Sequence, residues 1–134
     1  MSQENVEIVK RVLRNSAAHA IDRALADVDP EAELDWSNSE APDSGVYHGH
    51  AGWREWFDGR GEGLSELRFD TTEVIDARPD TVIVVARLLG RGRASGVEVE
   101  AVGAGVWTVH EGKVTSLKLY QTREEALEAV GLAG

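Results

Sequence analysis

The amino-acid sequence predicts an α+β fold in which a curved antiparallel sheet wraps around N-terminal helices. The chain of 134 residues is long enough to bury its own core as a single domain over residues 1–134. Apolar residues recur at helical spacing near the N-terminus, and four long segments rich in β-branched residues follow in the second half. Helices followed by a strand meander are typical of α+β proteins.

Composition excludes several classes of function. The chain has 14 Lys+Arg against 24 Asp+Glu and a net charge of −10, so we expect no nucleic-acid partner. It has no Cys, which excludes disulfide and thiol chemistry. No apolar stretch approaches the roughly 18–20 residues of a membrane span, so we expect no membrane partner. The segment Met1–Asn5 lacks the features of a secretory signal, and we expect a cytoplasmic location.

The first third of the chain predicts two helices and a short strand. Helical spacing of apolar residues predicts a first helix over Val6–Leu13, and Asn15-Ser16 predicts a break and a new N-cap. A second apolar stripe predicts a helix over Ser16–Val28, which Asp29-Pro30 ends. Leu34-Asp35-Trp36 predicts a short strand.

The middle of the chain predicts a loop, a strand fragment and a third helix. Residues 37–45 have the composition of a loop throughout. The segment Val46–His48 predicts a strand fragment, and His50–Gly59 predicts a helix with Trp53 and Trp56 on one side.

The second half predicts an antiparallel meander and a closing helix. A helix is expected over Thr122–Val130, because Thr122 and Glu125 have the spacing of a capping box. Glycines in the meander are expected to break the pleat so that the sheet curves, or else to allow close packing. Those glycines are Gly90, Gly92, Gly96, Gly103 and Gly105. The four strands are expected over Leu67–Ile75, Thr81–Gly92, Val97–Val109 and Val114–Gln121.

Four local sequences occur in a characteristic order: Gly45–His50 followed by Trp53, Gly92–Glu100, Gly105–Val109 and Glu111–Val114. With the order of elements, they resemble the SnoaL-like, ketosteroid-isomerase-like branch of the nuclear transport factor two-like superfamily. The resemblance implies a conical barrel with the N-terminal helices in the concave face of the sheet, and a pocket between them. It also implies a hydrophobic small-molecule ligand, no cofactor and a homodimer formed through the sheet. Activity stays open, because this fold serves isomerases, cyclases, hydrolases and non-catalytic modules.

The resemblance places a catalytic base on the first short strand. Ketosteroid isomerases use a carboxylate base, with a Tyr and a protonated Asp that stabilise an enolate. The base position falls at Asp35, or at Trp36 if the register slips by one residue. The chain has no acid near Ala104-Gly105, where the second Asp would lie, and no Tyr in the first helix. The sequence therefore leaves two alternative functions open. One is a cofactor-free isomerase, cyclase or hydrolase, and the other is a non-catalytic dimeric binding or assembly domain with a filled pocket.

His48 and Arg87 are further candidates by residue type. The imidazole of His48 can exchange protons near neutral pH, which suits an acid or base; the alternative is a surface or capping histidine. Arg87 interrupts an apolar row of its strand, so it either clamps an anionic ligand or pairs across the hairpin with Glu98 or Glu100. No two histidines have the spacing of a helical metal site, and we expect no metal.

Aromatic residues are the remaining candidates for ligand binding. Of the four tryptophans, Trp36 and Trp53 are expected to line a pocket for an apolar, ring-shaped ligand. The alternative is packing in the core or at a dimer interface. Tyr120 on the last strand either donates a hydrogen bond to a ligand oxygen or lies at an exposed edge.

Overall fold

The computed structural model describes residues 2–18, 20–38, 45–59, 64–92 and 94–132. Residues 39–44 of the predicted loop lie outside this described part of the chain. Its helices and strands follow one another in the order α1 (Ser2–Ala17), α2 (Ile21–Leu25), β1 (Val28–Asp35), β2 (Val46–His48), α3 (Gly49–Gly59), β3 (Leu64–Arg78), β4 (Thr81–Gly92), β5 (Glu98–His110), β6 (Lys113–Tyr120) and α4 (Arg123–Ala129).

The strands form one mixed, open sheet in the order β2-β1-β6-β5-β4-β3. The antiparallel meander predicted for the second half is confirmed, because β3, β4, β5 and β6 pair with one another in sequence. Only β1 runs parallel to its neighbour β6 among the described pairs. Helices α1 to α3 pack on the inner face of the sheet, and α4 packs on the outer face. The predicted α+β class is therefore confirmed.

The core has two parts because both faces of the sheet are covered. Successive side chains of a strand point to opposite faces, so Val82 and Val84 face the helices while Ile83 and Val85 face α4. The larger cluster lies between α1, α3 and the inner face, and the smaller one lies under α4 around the buried Ala126. The burial of both faces explains why the first half of β4 is a continuous apolar run.

The predicted boundary between the first two helices is wrong. Helix α1 continues through Asn15 and Ser16, and the Ser16 hydroxyl donates to the Val12 carbonyl at 2.8 Å inside the helix instead of capping a new one. Helix α2 is correspondingly short, and Val28 already begins β1. Pro30 lies within this strand, at a shift in the β1–β6 register where a missing N–H is tolerated.

The glycines of the meander do not break its central pairing. Strands β4 and β5 pair without a register shift from Thr81 opposite Thr108 to Arg91 opposite Glu98. Shifts occur instead along β3, along β1 and near the β5–β6 turn. Close packing explains Gly105, where an added Cβ would lie 2.9 Å from a methyl group of Leu117.

The closing helix is confirmed, and Thr122 caps its N-terminus. The Thr122 hydroxyl accepts a hydrogen bond from the Glu125 backbone N–H at 3.1 Å. Arg123 pairs with Glu73 of β3 at 2.7 Å, and the Arg78 guanidinium donates to the Val130 carbonyl at the end of the helix. These contacts hold α4 across the outer face of the sheet.

Candidate functional site

A cavity of about 820 Å³ lies between α1 and the inner face of the sheet. This volume is within the usual range of roughly 300–1,000 Å³ for small-molecule pockets. The interior is therefore not filled by the protein's own side chains, contrary to one of the two sequence-based alternatives. Most of the described residues around the cavity are apolar, and those that line it are Lys10, Leu13, Arg14, Ser16, Ala17, Trp36, Trp56, Thr71, Val74, Val84, Ala86, Leu88, Ala101, Val102, Gly103, Ala104, Gly105, Trp107, Leu117, Leu119, Tyr120 and Gln121.

Small side chains on β4 and β5 create this space. Ala86 lies opposite Gly103, and Leu88 lies opposite Ala101, on the face of the sheet that borders the cavity. An added Cβ at Gly103 would meet only one atom within 4 Å, the Tyr120 carbonyl oxygen at 3.3 Å. Larger side chains in this row would occupy the volume that the cavity now has.

Three tryptophans form the aromatic walls of the cavity. The rings of Trp36 and Trp56 meet edge to face, with centroids 5.8 Å apart, and Trp107 borders the cavity from β5. Trp53 is fully buried behind Trp107, and its indole N–H donates to the Ala32 carbonyl at 3.1 Å. Of the two tryptophans predicted as pocket residues, the structure places Trp36 in the lining and Trp53 in the core.

Asp35 lies on the opposite face of β1 from Leu34, and it is not among the lining residues. Its carboxylate accepts hydrogen bonds from the Ser37 backbone N–H at 2.9 Å and from the Ser37 hydroxyl at 2.5 Å. The Lys118 ammonium is 3.8 Å away. Burial alone would raise the pKa of Asp35, but the Ser37 hydrogen bonds and the Lys118 charge outweigh it and lower that pKa. The residue that reaches the cavity here is Trp36.

His48 lies on the exposed edge strand β2 and not in the cavity lining. Its side chain is 73% exposed, and its Nδ1 is 3.6 Å from a carboxylate oxygen of Glu33. The β1–β2 register pairs His48 with Glu33 and places Val46 opposite Asp35. The structure therefore brings neither Asp35 nor His48 into the cavity, and their catalytic roles stay predictions.

Arg87 lies on the outer face of β4, where its Nη2 is 2.7 Å from Glu100. This contact is the cross-strand ion pair that one sequence-based alternative predicts, and Arg87 does not border the cavity. Tyr120 does border the cavity, at the end of β6. Its ring packs towards the outer core cluster and has the Lys118 ammonium 5.6 Å from its centroid.

The charged groups of the lining come from one face of α1. Lys10, Leu13, Arg14 and Ala17 have the spacing of residues that share a helix face, and all four border the cavity. Both cationic residues are exposed. No pattern in the sequence singles them out, because charged residues beside an apolar stripe usually form a solvent-facing surface. Their role depends on the open space beneath α1, which only the assembled sheet defines.

The described residues form neither a metal site nor a membrane-spanning helix. Among them, no group of three or more His, Cys, Asp or Glu is arranged to hold a metal ion. None of the helices that the structure describes is long and apolar enough to cross a membrane.

Comparison with known proteins gives a family and a fold. The family model for the SnoaL-like domain matches residues 9–117. An NTF2-like protein from Burkholderia xenovorans is 26% identical, with 98% of each chain covered and a TM-score of 0.78. A Mycobacterium tuberculosis protein in complex with estradiol-17beta-hemisuccinate is 18% identical, with 90% of this chain and 95% of that chain covered and a TM-score of 0.73.

A third structure is that of TerC co-crystallised with polyporic acid. It is 20% identical, with 95% of this chain and 98% of that chain covered and a TM-score of 0.77. No curated protein matches the chain in sequence. These similarities establish the conical fold of NTF2-like proteins for this chain.

Proposed function

The chain belongs to the SnoaL-like domain family, and on that premise we propose that it binds an apolar, ring-containing small molecule in the cavity under α1. The observation that carries this proposal is the cavity itself, with a volume of about 820 Å³ and a mostly apolar lining. Apolar surface that a ligand buries there contributes roughly 25 cal/mol per Å² to binding. Three indole rings in the lining favour a ligand with flat rings of its own.

Relatives of this fold support a small-molecule ligand. Two neighbours of the same fold were crystallised with estradiol-17beta-hemisuccinate and with polyporic acid. Binding is better supported than catalysis at this site, because the described lining residues include no carboxylate and no imidazole that could act as a general base. The isomerase, cyclase or hydrolase activity expected from Asp35 and His48 would need a substrate that reaches the outside of β1 and β2.

A neutral fluorescent probe tests the proposal. The probe N-phenyl-1-naphthylamine has three rings and no charge, and its emission rises when it enters an apolar cavity. We expect saturable binding to the wild-type protein, and an affinity lower by roughly tenfold or more in Ala86→Phe, whose new ring occupies the pocket volume. Ala51→Phe is the matched control, because Ala51 is exposed on α3 and does not border the cavity.

Thermal melting of each variant checks that it folds. Equal affinity of the wild type and the Ala86→Phe variant would contradict the proposed site, and so would a wild-type protein that does not bind the probe. A loss of affinity in Ala51→Phe as large as in Ala86→Phe would also contradict it, since that loss would not depend on the cavity.

A further inference from the structure

We infer that the natural ligand of the cavity is an anion, an apolar ring system whose acid group is held by Lys10 and Arg14 of α1. The inference rests on the proposed binding function and adds the charge of the ligand. Both residues border the cavity, so a ligand in it reaches their side chains while its apolar part contacts the tryptophans.

The geometry of α1 places these two cations together. Residues four apart on a helix are neighbours, with roughly 5–6 Å between their Cβ atoms. An ammonium and a guanidinium at this spacing can contact the two oxygens of one carboxylate, with the guanidinium donating through two N–H groups. Leu13 lies between them on the same face and continues the apolar lining up to the charged groups.

Lys10 and Arg14 differ in their ion pairing from the adjacent Arg11. Among the described residues, Lys10 and Arg14 have no ion pair, whereas the adjacent Arg11 donates two hydrogen bonds of 2.7 Å to Asp27. Glu7 precedes Lys10 by one turn, and its charge acts on Arg11. Arg11 therefore anchors α1 to Asp27, whereas Lys10 and Arg14 border the cavity.

The electrostatics of the cavity favour a ligand of negative charge. The chain has a net charge of −10, yet the described lining residues include two cations and no acid. A charge at the edge of an apolar cavity interacts more strongly with a ligand than one in bulk water, because less solvent screens it. An acid group at the mouth also stays partly hydrated, which lowers the cost of binding it.

Two dyes with the same ring skeleton separate charge recognition from apolar binding. The dye 8-anilino-1-naphthalenesulfonate carries one sulfonate, and N-phenyl-1-naphthylamine lacks it. In Lys10→Gln/Arg14→Gln we expect the affinity for the sulfonate dye to fall by roughly tenfold or more, where tenfold corresponds to about 1.4 kcal/mol. The affinity for the neutral dye should change far less, because that dye has no charge for the two cations to hold. Added salt should lower only the affinity for the sulfonate dye, because salt screens the interaction between exposed charges.

Arg23→Gln is the charge control for the double variant Lys10→Gln/Arg14→Gln. Arg23 is exposed on α2, does not border the cavity and has no ion pair among the described residues. Its replacement removes one positive charge and should leave the affinities for both dyes unchanged. The charge-reversal variant Lys10→Glu/Arg14→Glu should bind the sulfonate dye more weakly than the Gln double variant does.

The outcomes distinguish this inference from the proposed function. If the wild type binds the neutral dye but the double variant keeps full affinity for the sulfonate dye, the anion inference is overturned and the binding function stands. Equal losses for both dyes in the double variant would also overturn it, since the residues would then act through the shape of the cavity. A wild-type protein that binds neither dye would overturn the proposed function itself.

Discussion

At the scale of single residues, the alternation of side chains along β1 decides which of them face the cavity. Leu34 is fully buried on the inner face, while Asp35 turns outward to Ser37 and Lys118, and Trp36 after the strand borders the cavity. A shift of one residue in such a strand would exchange the two faces. The acid of this strand thus lies outside the cavity, and an indole ring borders it instead.

Replacing Asp35 by Asn tests this arrangement. The variant loses the negative charge that accepts both Ser37 hydrogen bonds, so we expect its free energy of unfolding to fall by about 1 kcal/mol. For a domain of this size that loss lowers the Tm by about 3–5 °C. The affinity for N-phenyl-1-naphthylamine should not change, and fluorescence titration measures it. Weaker dye binding at unchanged stability would instead place Asp35 in the binding site.

Asp27 makes the stability of the fold depend on pH. The hydrogen bonds from Arg11 lower the pKa of Asp27 below its ordinary value of 3.8. A carboxyl group with a lowered folded-state pKa contributes stability above its unfolded pKa, and the contribution disappears as the pH falls through the folded-state pKa. We therefore expect Asp27→Asn to lose less stability than the wild type between about pH 6 and about pH 3.

Urea denaturation at each pH measures this difference. Asp76→Asn serves as the control, because Asp76 is exposed and has no ion pair among the described residues. It should follow the wild-type pH dependence. An Asp27→Asn curve parallel to that of the wild type would show that the Arg11 contact does not contribute to acid sensitivity.

At the scale of elements, local signals explain what the sequence could predict. The third helix and the meander strands carry their own periodicity and turns, and α4 carries its own capping box. The boundary of α1 was mispredicted because a serine hydroxyl can cap a new helix or bond back to the preceding turn, and Ser16 bonds back to Val12. Local sequence does not distinguish these two outcomes, because both use the same hydroxyl group.

The cap of α4 gives a prediction at this scale. Thr122→Ala removes the side chain that accepts from the Glu125 N–H, and we expect a loss of about 1 kcal/mol in the free energy of unfolding. Thr122→Ser keeps a hydroxyl at the same position and should retain most of the stability. Chemical denaturation of the two variants measures both values, and equal stability of the two variants would contradict a capping role.

At the scale of the whole molecule, the cavity could be expected from the resemblance but its lining could not be derived from the sequence. Trp36 borders the cavity, and its role in ligand binding stays a prediction. Trp53 resembled it in sequence, yet the packing of α3 on β1 directs its indole to the Ala32 carbonyl. Lys10 and Arg14 border the cavity through the position of α1 over the sheet, which involves residues far apart in sequence.

The homodimer expected from the resemblance gives the last prediction. On the outer face of the sheet, α4 contacts β4, β5 and β6. Val102 of β5 is among the residues that border the cavity, but it pairs with the outward-facing Arg87 and remains 51% exposed beside the Arg87–Glu100 ion pair. A symmetric interface centred there would bury the same patch on both copies, and stable dimers bury roughly 800 Å² per partner. We therefore expect the wild type to be a dimer and Val102→Asp to be a monomer of 14.6 kDa.

Light scattering after size-exclusion chromatography measures both masses. Val46→Asp is the matched control, because Val46 is 43% exposed on the edge strand β2, at the other end of the sheet order. The same charge introduced there should leave the dimer intact, since a dimer through the outer face of β5 does not need that edge. Dissociation by Val46→Asp but not by Val102→Asp would move the interface to the edge of the sheet, and a monomeric wild type would exclude both arrangements.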